Sequence, residues 1–124
     1  MKDKLLKIAL IQSPLVWENP GENRIDFSKK IASLNREVDL VVLPEMFTTG
    51  FTMSPQNIDL TEGNKTLEWM LLEASNNNVA IVGSIVFYEN GDYTNRLFFV
   101  EPNGKIQRYD KRHTFTLAGE DKIY

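Results

Sequence analysis

DLVVLPEMF, residues 39–47, runs four consecutive apolar side chains into a proline and then a glutamate. A short apolar run without alternation is the pattern of a strand covered on both faces, so Asp39 to Leu43 is predicted as a buried strand. Upstream, KIALIQ (Lys7 to Gln12) has the same character and is ended by Ser13-Pro14. Between the two, Ile25, Phe27, Ile31 and Leu34 recur among charged residues, which predicts an amphipathic helix from about Glu22 to Arg36 after the Asn19-Pro20-Gly21 break. Strand, helix and strand at this spacing imply a parallel pair joined by a right-handed crossover.

Downstream of Glu45 comes a loop rich in Thr, Gly, Ser and Pro, then a second helix. Asn64 is its expected cap, Leu67, Trp69, Met70, Leu71 and Ala74 its inward residues, and Asn76-Asn77-Asn78 its end. Three strand-like runs follow: Val79 to Tyr88, Tyr93 to Val100 and Lys105 to Tyr109. Asn90-Gly91 and Asn103-Gly104 separate them, and these dipeptides suit tight hairpin turns, so the sheet is expected to continue as an antiparallel meander. The fold class is therefore α/β, a mixed sheet with two helices on one face. Runs such as Ala80-Ile81-Val82 and Leu97-Phe98-Phe99-Val100 are too apolar to leave the second face in water. Either further chain or a partner subunit has to cover it, and a chain running out at Asp121-Lys122-Ile123-Tyr124, with no closing element, favours further chain.

The 124 residues are 42% hydrophobic, 10% aromatic and 25% charged, as expected of one globular unit. A net charge of -3 offers no basic field for a polyanion, which counts against nucleic acid and favours small neutral or acidic metabolites. Met1 to Lys7 has the positive start of a signal peptide, but Lys7 and Gln12 interrupt the apolar stretch and no small-residue cleavage site follows. No segment is long enough for a membrane span, so a cytoplasmic location without membrane attachment is expected. With no cysteine, disulfides and thiolate metal sites do not arise within these residues.

Glu45 ends a parallel strand, where the binding crevice of an open α/β sheet lies. Two readings stay open: a functional carboxylate, or one that caps the next turn or pairs with a nearby lysine. YDKRH (Tyr109 to His113) ends a later strand with Lys111 as its central cation, and alone it reads as a solvated strand end. His113, the sole histidine, makes no metal cluster by itself. Phe47, Phe51 and Phe115 flank these motifs and, with His113, are the candidates for pocket walls; for the aromatics the competing reading is core. A glutamate and a lysine at one site tune each other, since burial raises the carboxyl pKa and the ammonium lowers it.

Together, LVVLPEMFTTGF and YDKRHTF, with KIALIQ and NVAIVGSI, resemble the N-terminal half of the nitrilase superfamily of carbon-nitrogen hydrolases, and its omega-amidase branch in particular. The resemblance implies half of a four-layer α-β-β-α sandwich, with residues 1–124 as the N-terminal part of a single carbon-nitrogen hydrolase domain. It implies Glu45 as general base, Lys111 as stabiliser of the tetrahedral intermediate and Glu120 as a second, positioning glutamate. It further implies hydrolysis of small amides such as 2-oxoglutaramate through a cysteine thioester, no cofactor or metal, and a homo-oligomer for the complete protein. The family's cysteine lies on a strand beyond the segment that ends at Tyr124, so these residues alone are not expected to be a competent enzyme. Two alternatives remain. A metal-dependent phosphoesterase of the exonuclease/endonuclease sandwich type would want clustered oxygen ligands, for which Gln12-Ser13-Pro14 is poor. A non-catalytic interaction or nucleotide-binding module would want a glycine-rich turn after the first strand, which Ile11 to Leu15 lacks.

Overall fold

The computed structural model describes residues 5–124, in which five strands form one sheet in chain order. They are β1 (Ile8–Leu10), β2 (Leu40–Val42), β3 (Ala80–Glu89), β4 (Asp92–Val100) and β5 (Ile106–Asp110), with α1 (Pro20–Ala32) and α2 (Glu62–Asn77) between the first three. β1, β2 and β3 are parallel, and β3, β4 and β5 run antiparallel. Met1–Lys4 lie outside the described residues, and with them the first four residues of the stretch Met1 to Lys7 weighed as a signal peptide. No helix among the described residues is long and apolar enough to cross a membrane.

Both helices lie on one face. Phe27 and Ile31 of α1 and Met70 and Ala74 of α2 share a buried cluster with Val41, Ile81, Ile85, Phe98 and Val100. The register sets Val41, Ile81 and Val100 side by side across β2, β3 and β4, so the alternation of strand side chains delivers one apolar face to the helices. The opposite face is largely open: Leu10 is 77% exposed, and Ile8, Leu97 and Tyr109 are also exposed.

The turns follow local chemistry. Asn90 and Gly91 both have positive φ (54° and 86°), the conformation of a two-residue turn whose twist matches the strands it joins. The second hairpin has a three-residue loop in which Gly104 takes the left-handed position and its N–H donates to the Glu101 carbonyl. Helix boundaries differ from the sequence-based expectation. α1 begins two residues earlier, because Asn19 accepts the Glu22 N–H as its cap and Pro20 suits the first turn, and it ends at Ala32. Ile25 is 55% exposed, while the buried positions of α1 are Asn23, Phe27 and Ile31. α2 begins at Glu62, so Asn64 lies within its first turn and is not the cap. Asp59 accepts both the N–H and the hydroxyl of Thr61, which organises the turn ahead of the helix.

Phe47 is fully buried, with its ring 5.6 Å from that of Phe27 and 5.8 Å from that of Trp69. It lies on Gly83 of β3, where a Cβ would come 2.9 Å from the ring, so the missing side chain makes the room. Phe47 is therefore a core residue and not a pocket wall. Phe47→Ala is expected to destabilise the fold by about 3 to 5 kcal/mol, read from the shift in a urea unfolding midpoint at unchanged slope.

Candidate active site

The end of β2, the interior of β3 and the β4–β5 pair assemble the site. Beyond β2, the Leu43 N–H still donates to the Val82 carbonyl, and Pro44 then carries the chain off the ladder to Glu45. Met46 takes a left-handed conformation (φ 50°), unusual for a residue with a side chain, and Ser84 of β3 holds the turn. The Ser84 hydroxyl accepts the Met46 N–H at 3.0 Å, and its carbonyl accepts the Phe47 N–H at 3.2 Å. Asn23 of α1 adds a hydrogen bond to the Thr48 carbonyl at 2.7 Å. The turn is thus fixed from two sides, and it places Glu45 in a cleft of about 340 Å³ on the open face of the sheet.

Lys111 follows β5, where its N–H donates to the Asn95 carbonyl and extends the β4–β5 ladder by one residue. The register there is further pinned by Arg96, whose Nε donates to Asp110 at 2.7 Å while its guanidinium lies 4.7 Å from the centre of the Phe87 ring. That pair holds the Asp110 carboxyl below its ordinary pKa through the Arg96 hydrogen bond. Glu120 comes from the C-terminal turns. Its own N–H donates to the Phe115 carbonyl, and its Oε1 accepts the Phe115 N–H at 2.6 Å, so the side chain is locked against its own loop.

The three charged groups meet. Lys111 Nζ donates to Glu45 Oε2 at 2.8 Å and lies 3.0 Å from Glu120 Oε1. Asn95 Nδ2 donates to Glu45 Oε2 at 2.8 Å and to Glu120 Oε2 at 3.2 Å. Glu120 is fully buried, whereas the Glu45 side chain is 46% exposed. Burial works against the charge of Glu120, but the Phe115 N–H, Lys111 and Asn95 outweigh it and keep its pKa below the ordinary 4.5. Burial likewise opposes the Lys111 ammonium, and the two carboxylates outweigh it, leaving the pKa above 10.5. Among the described residues no cluster of three or more His, Cys, Asp or Glu is arranged to hold a metal ion.

Val42, Val82, Leu97 and Tyr109 form the apolar walls of the cleft. Phe51 lies beside it, its ring centre 5.3 Å from Lys111 Nζ, and Phe115 is next to Phe51 at 6.4 Å between ring centres. His113 is exposed, and neither it nor Phe47, Phe51 or Phe115 lines the cleft: the two outer aromatics pack on each other at its margin. Asn95, Ser84 and the apolar walls were missed at the sequence level. An asparagine in the middle of the apolar strand YTNRLFFV was the available signal, because that residue type is poor in a central strand unless something uses it.

These charges make stability depend on pH at both extremes. The depressed Glu120 contributes stability that is fully present above its unfolded value and lost as pH falls through its folded one. The raised Lys111 contributes stability that is fully present below 10.5 and lost as pH rises through its folded value. Urea midpoints are thus expected to stay level between about pH 5 and 10 and to fall on either side. Glu120→Gln should make the acid limb shallower while the share of the depressed Asp110 remains, and an acid limb of unchanged depth would contradict this.

Residues 7–123 match the carbon-nitrogen hydrolase family. The chain is 38% identical over 119 residues to omega-amidase YafV of Escherichia coli K12, covering 96% of this chain and 46% of that protein. It is 30% identical to 2-oxoglutaramate amidase of Bacillus subtilis, covering 91% and 45% respectively. A CN-hydrolase superfamily protein of Xanthomonas campestris, solved with an arsenic adduct in its active site, superposes with a TM-score of 0.88 at 34% identity, over 96% of this chain and 45% of that one. The chain spans about half the length of the curated relatives it matches. The match over nearly all of its residues, on a five-stranded mixed sheet with two helices, establishes that the chain belongs to the carbon-nitrogen hydrolase family.

Proposed function

We propose that the whole protein is an omega-amidase, hydrolysing the terminal carboxamide of small 2-oxo acid amides such as 2-oxoglutaramate, and that residues 1–124 are the N-terminal part of its single carbon-nitrogen hydrolase domain. The observation that carries this reading is the Lys111 ammonium between the Glu45 and Glu120 carboxylates at an apolar cleft. The similarity to proteins named omega-amidase and 2-oxoglutaramate amidase supports the substrate class.

In this reading a cysteine thiol, which these 124 residues do not supply, attacks the amide carbonyl. Glu45 takes the thiol proton and passes it to the departing nitrogen, so that ammonia leaves and a thioester remains. Water then attacks the thioester with Glu45 again as base, releasing the carboxylate product and the thiol. Lys111 has a raised pKa and stays an ammonium, so it acts as donor and not as base. Glu45 and Glu120 engage two of its three donor positions, which leaves one for the developing oxyanion. Glu120 holds the ammonium in place from its buried position.

The test is steady-state hydrolysis of 2-oxoglutaramate, an aliphatic nitrile and a simple aliphatic amide by the whole protein in metal-free buffer with chelator. Preference for 2-oxoglutaramate, undiminished by chelator, is expected. Preference for the nitrile would overturn the amidase assignment, and loss of activity with chelator would overturn the metal-free thioester mechanism.

A further inference from the structure

We propose that Asn95 is a positioning residue for this reaction: its side-chain amide clamps Glu45 to Glu120 and, with Lys111, occupies one oxygen of Glu45 so that the other takes the proton. The inference rests on the reading of Glu45 as general base. Asn95 Nδ2 and Lys111 Nζ both donate to Glu45 Oε2 at 2.8 Å. Among the described residues no protein donor reaches Oε1, which leaves that oxygen available for the thiol proton and for the leaving nitrogen.

The orientation of the amide follows from its partners. Ionised carboxylates only accept hydrogen bonds, so two of them facing one amide require its NH₂ end and not its carbonyl. Asn95 is 2% exposed, yet its Oδ1 has no hydrogen-bond partner. Asn23, equally buried, shows what a packing asparagine does here: its Oδ1 accepts the Val16 N–H, and its Nδ2 donates to the Val16 and Thr48 carbonyls. Both ends of Asn23 are satisfied by backbone. Asn95 spends its donors on the two carboxylates and leaves its acceptor bare, a poor bargain for folding alone. Its backbone carbonyl also holds the Lys111 N–H, so one residue of β4 places all three charged groups.

The test is the pH dependence of kcat/KM for Asn95→Leu and Asn95→Asp in the whole protein. The groups facing Glu45 are Lys111 after β5, Glu120 from the C-terminal turn and Tyr109 on β5. Losing a donor to the charged form raises a carboxyl pKa, so the acid limb should move to higher pH in Asn95→Leu. It should move further in Asn95→Asp, which adds a third carboxylate. The fall should be in kcat, roughly tenfold to a hundredfold for one charge-assisted hydrogen bond, with KM little changed. Folded variants with the wild-type acid limb and kcat would overturn the proposal. A measurement that leaves Asn95 in place covers Asn95 variants that do not fold: the Asn95 side-chain amide resonances should shift with pH as the carboxylates titrate, and should be displaced in Glu45→Gln. Resonances unmoved in both comparisons would equally overturn it. Because those resonances read the clamp itself, failure of the clamp is distinguishable from an active Glu45→Gln, which would remove only the base assignment.

Discussion

Glu45→Gln is expected to lower kcat/KM for the amide substrate by about 10²- to 10⁴-fold in the whole protein while leaving the fold in place. Glutamine keeps the length and shape of the side chain, and its carbonyl oxygen can still accept from Asn95 and Lys111. What it loses is the ability to hold a proton between thiol and leaving nitrogen, which both halves of the reaction need. Glu45 is nearly half exposed and contributes no apolar burial, so its unfolding midpoint should stay within experimental scatter of wild type. Steady-state kinetics together with a urea titration separate the two effects. A variant within a few-fold of wild-type activity would return Glu45 to a structural role as the ion-pair partner of Lys111.

Lys111→Ala is expected to damage both activity and stability. Removing one donor to a developing oxyanion typically costs about 10²- to 10³-fold in rate. The same change leaves Glu120 fully buried without its cation, though with the Phe115 N–H and Asn95 still bound to it. Unpairing a buried charge costs about 3 to 5 kcal/mol, and those remaining donors place the expected loss at the low end, about 3 kcal/mol. The cycle with Glu120→Gln isolates that share, because Lys111→Ala should cost far less stability once the buried charge is gone. Lys111→Arg should recover most of the stability but not the rate, since a planar fork does not reproduce a compact ammonium held between two carboxylates. Full recovery of rate by arginine would show that charge alone is sufficient.

Much of the scaffold was legible from residue order. The unbroken apolar run before Pro44, the Asn-Gly dipeptides at 90–91 and 103–104, and the helical spacing of Phe27 and Ile31 are local signals, each read within a few residues. They were enough for five strands, two helices, a parallel start and an antiparallel finish, and for Glu45 at a strand end. Helix starts were less legible, because Asp59 and Asn19 set them through hydrogen bonds at the margin of the periodic pattern.

The site itself is a product of register. Glu45 and Asn95 are 50 residues apart, and Glu45 and Lys111 are 66 apart. Nothing in their immediate neighbours states that they meet; the pairing of β3 with β4 and of β4 with β5 does. The same holds for the aromatics. Phe47 and Phe51, four residues apart on one loop, end respectively under the helices and beside the Lys111 ammonium, because the chain turns between them, with the Gly50 N–H donating to the Met46 carbonyl and Gly50 itself at φ 81°. Local period and turn chemistry determined which elements this chain forms and in what order. Which side chains share the cleft, which are sealed in the core, and which carboxylate is buried with its cation depended on strands brought together from distant parts of the chain.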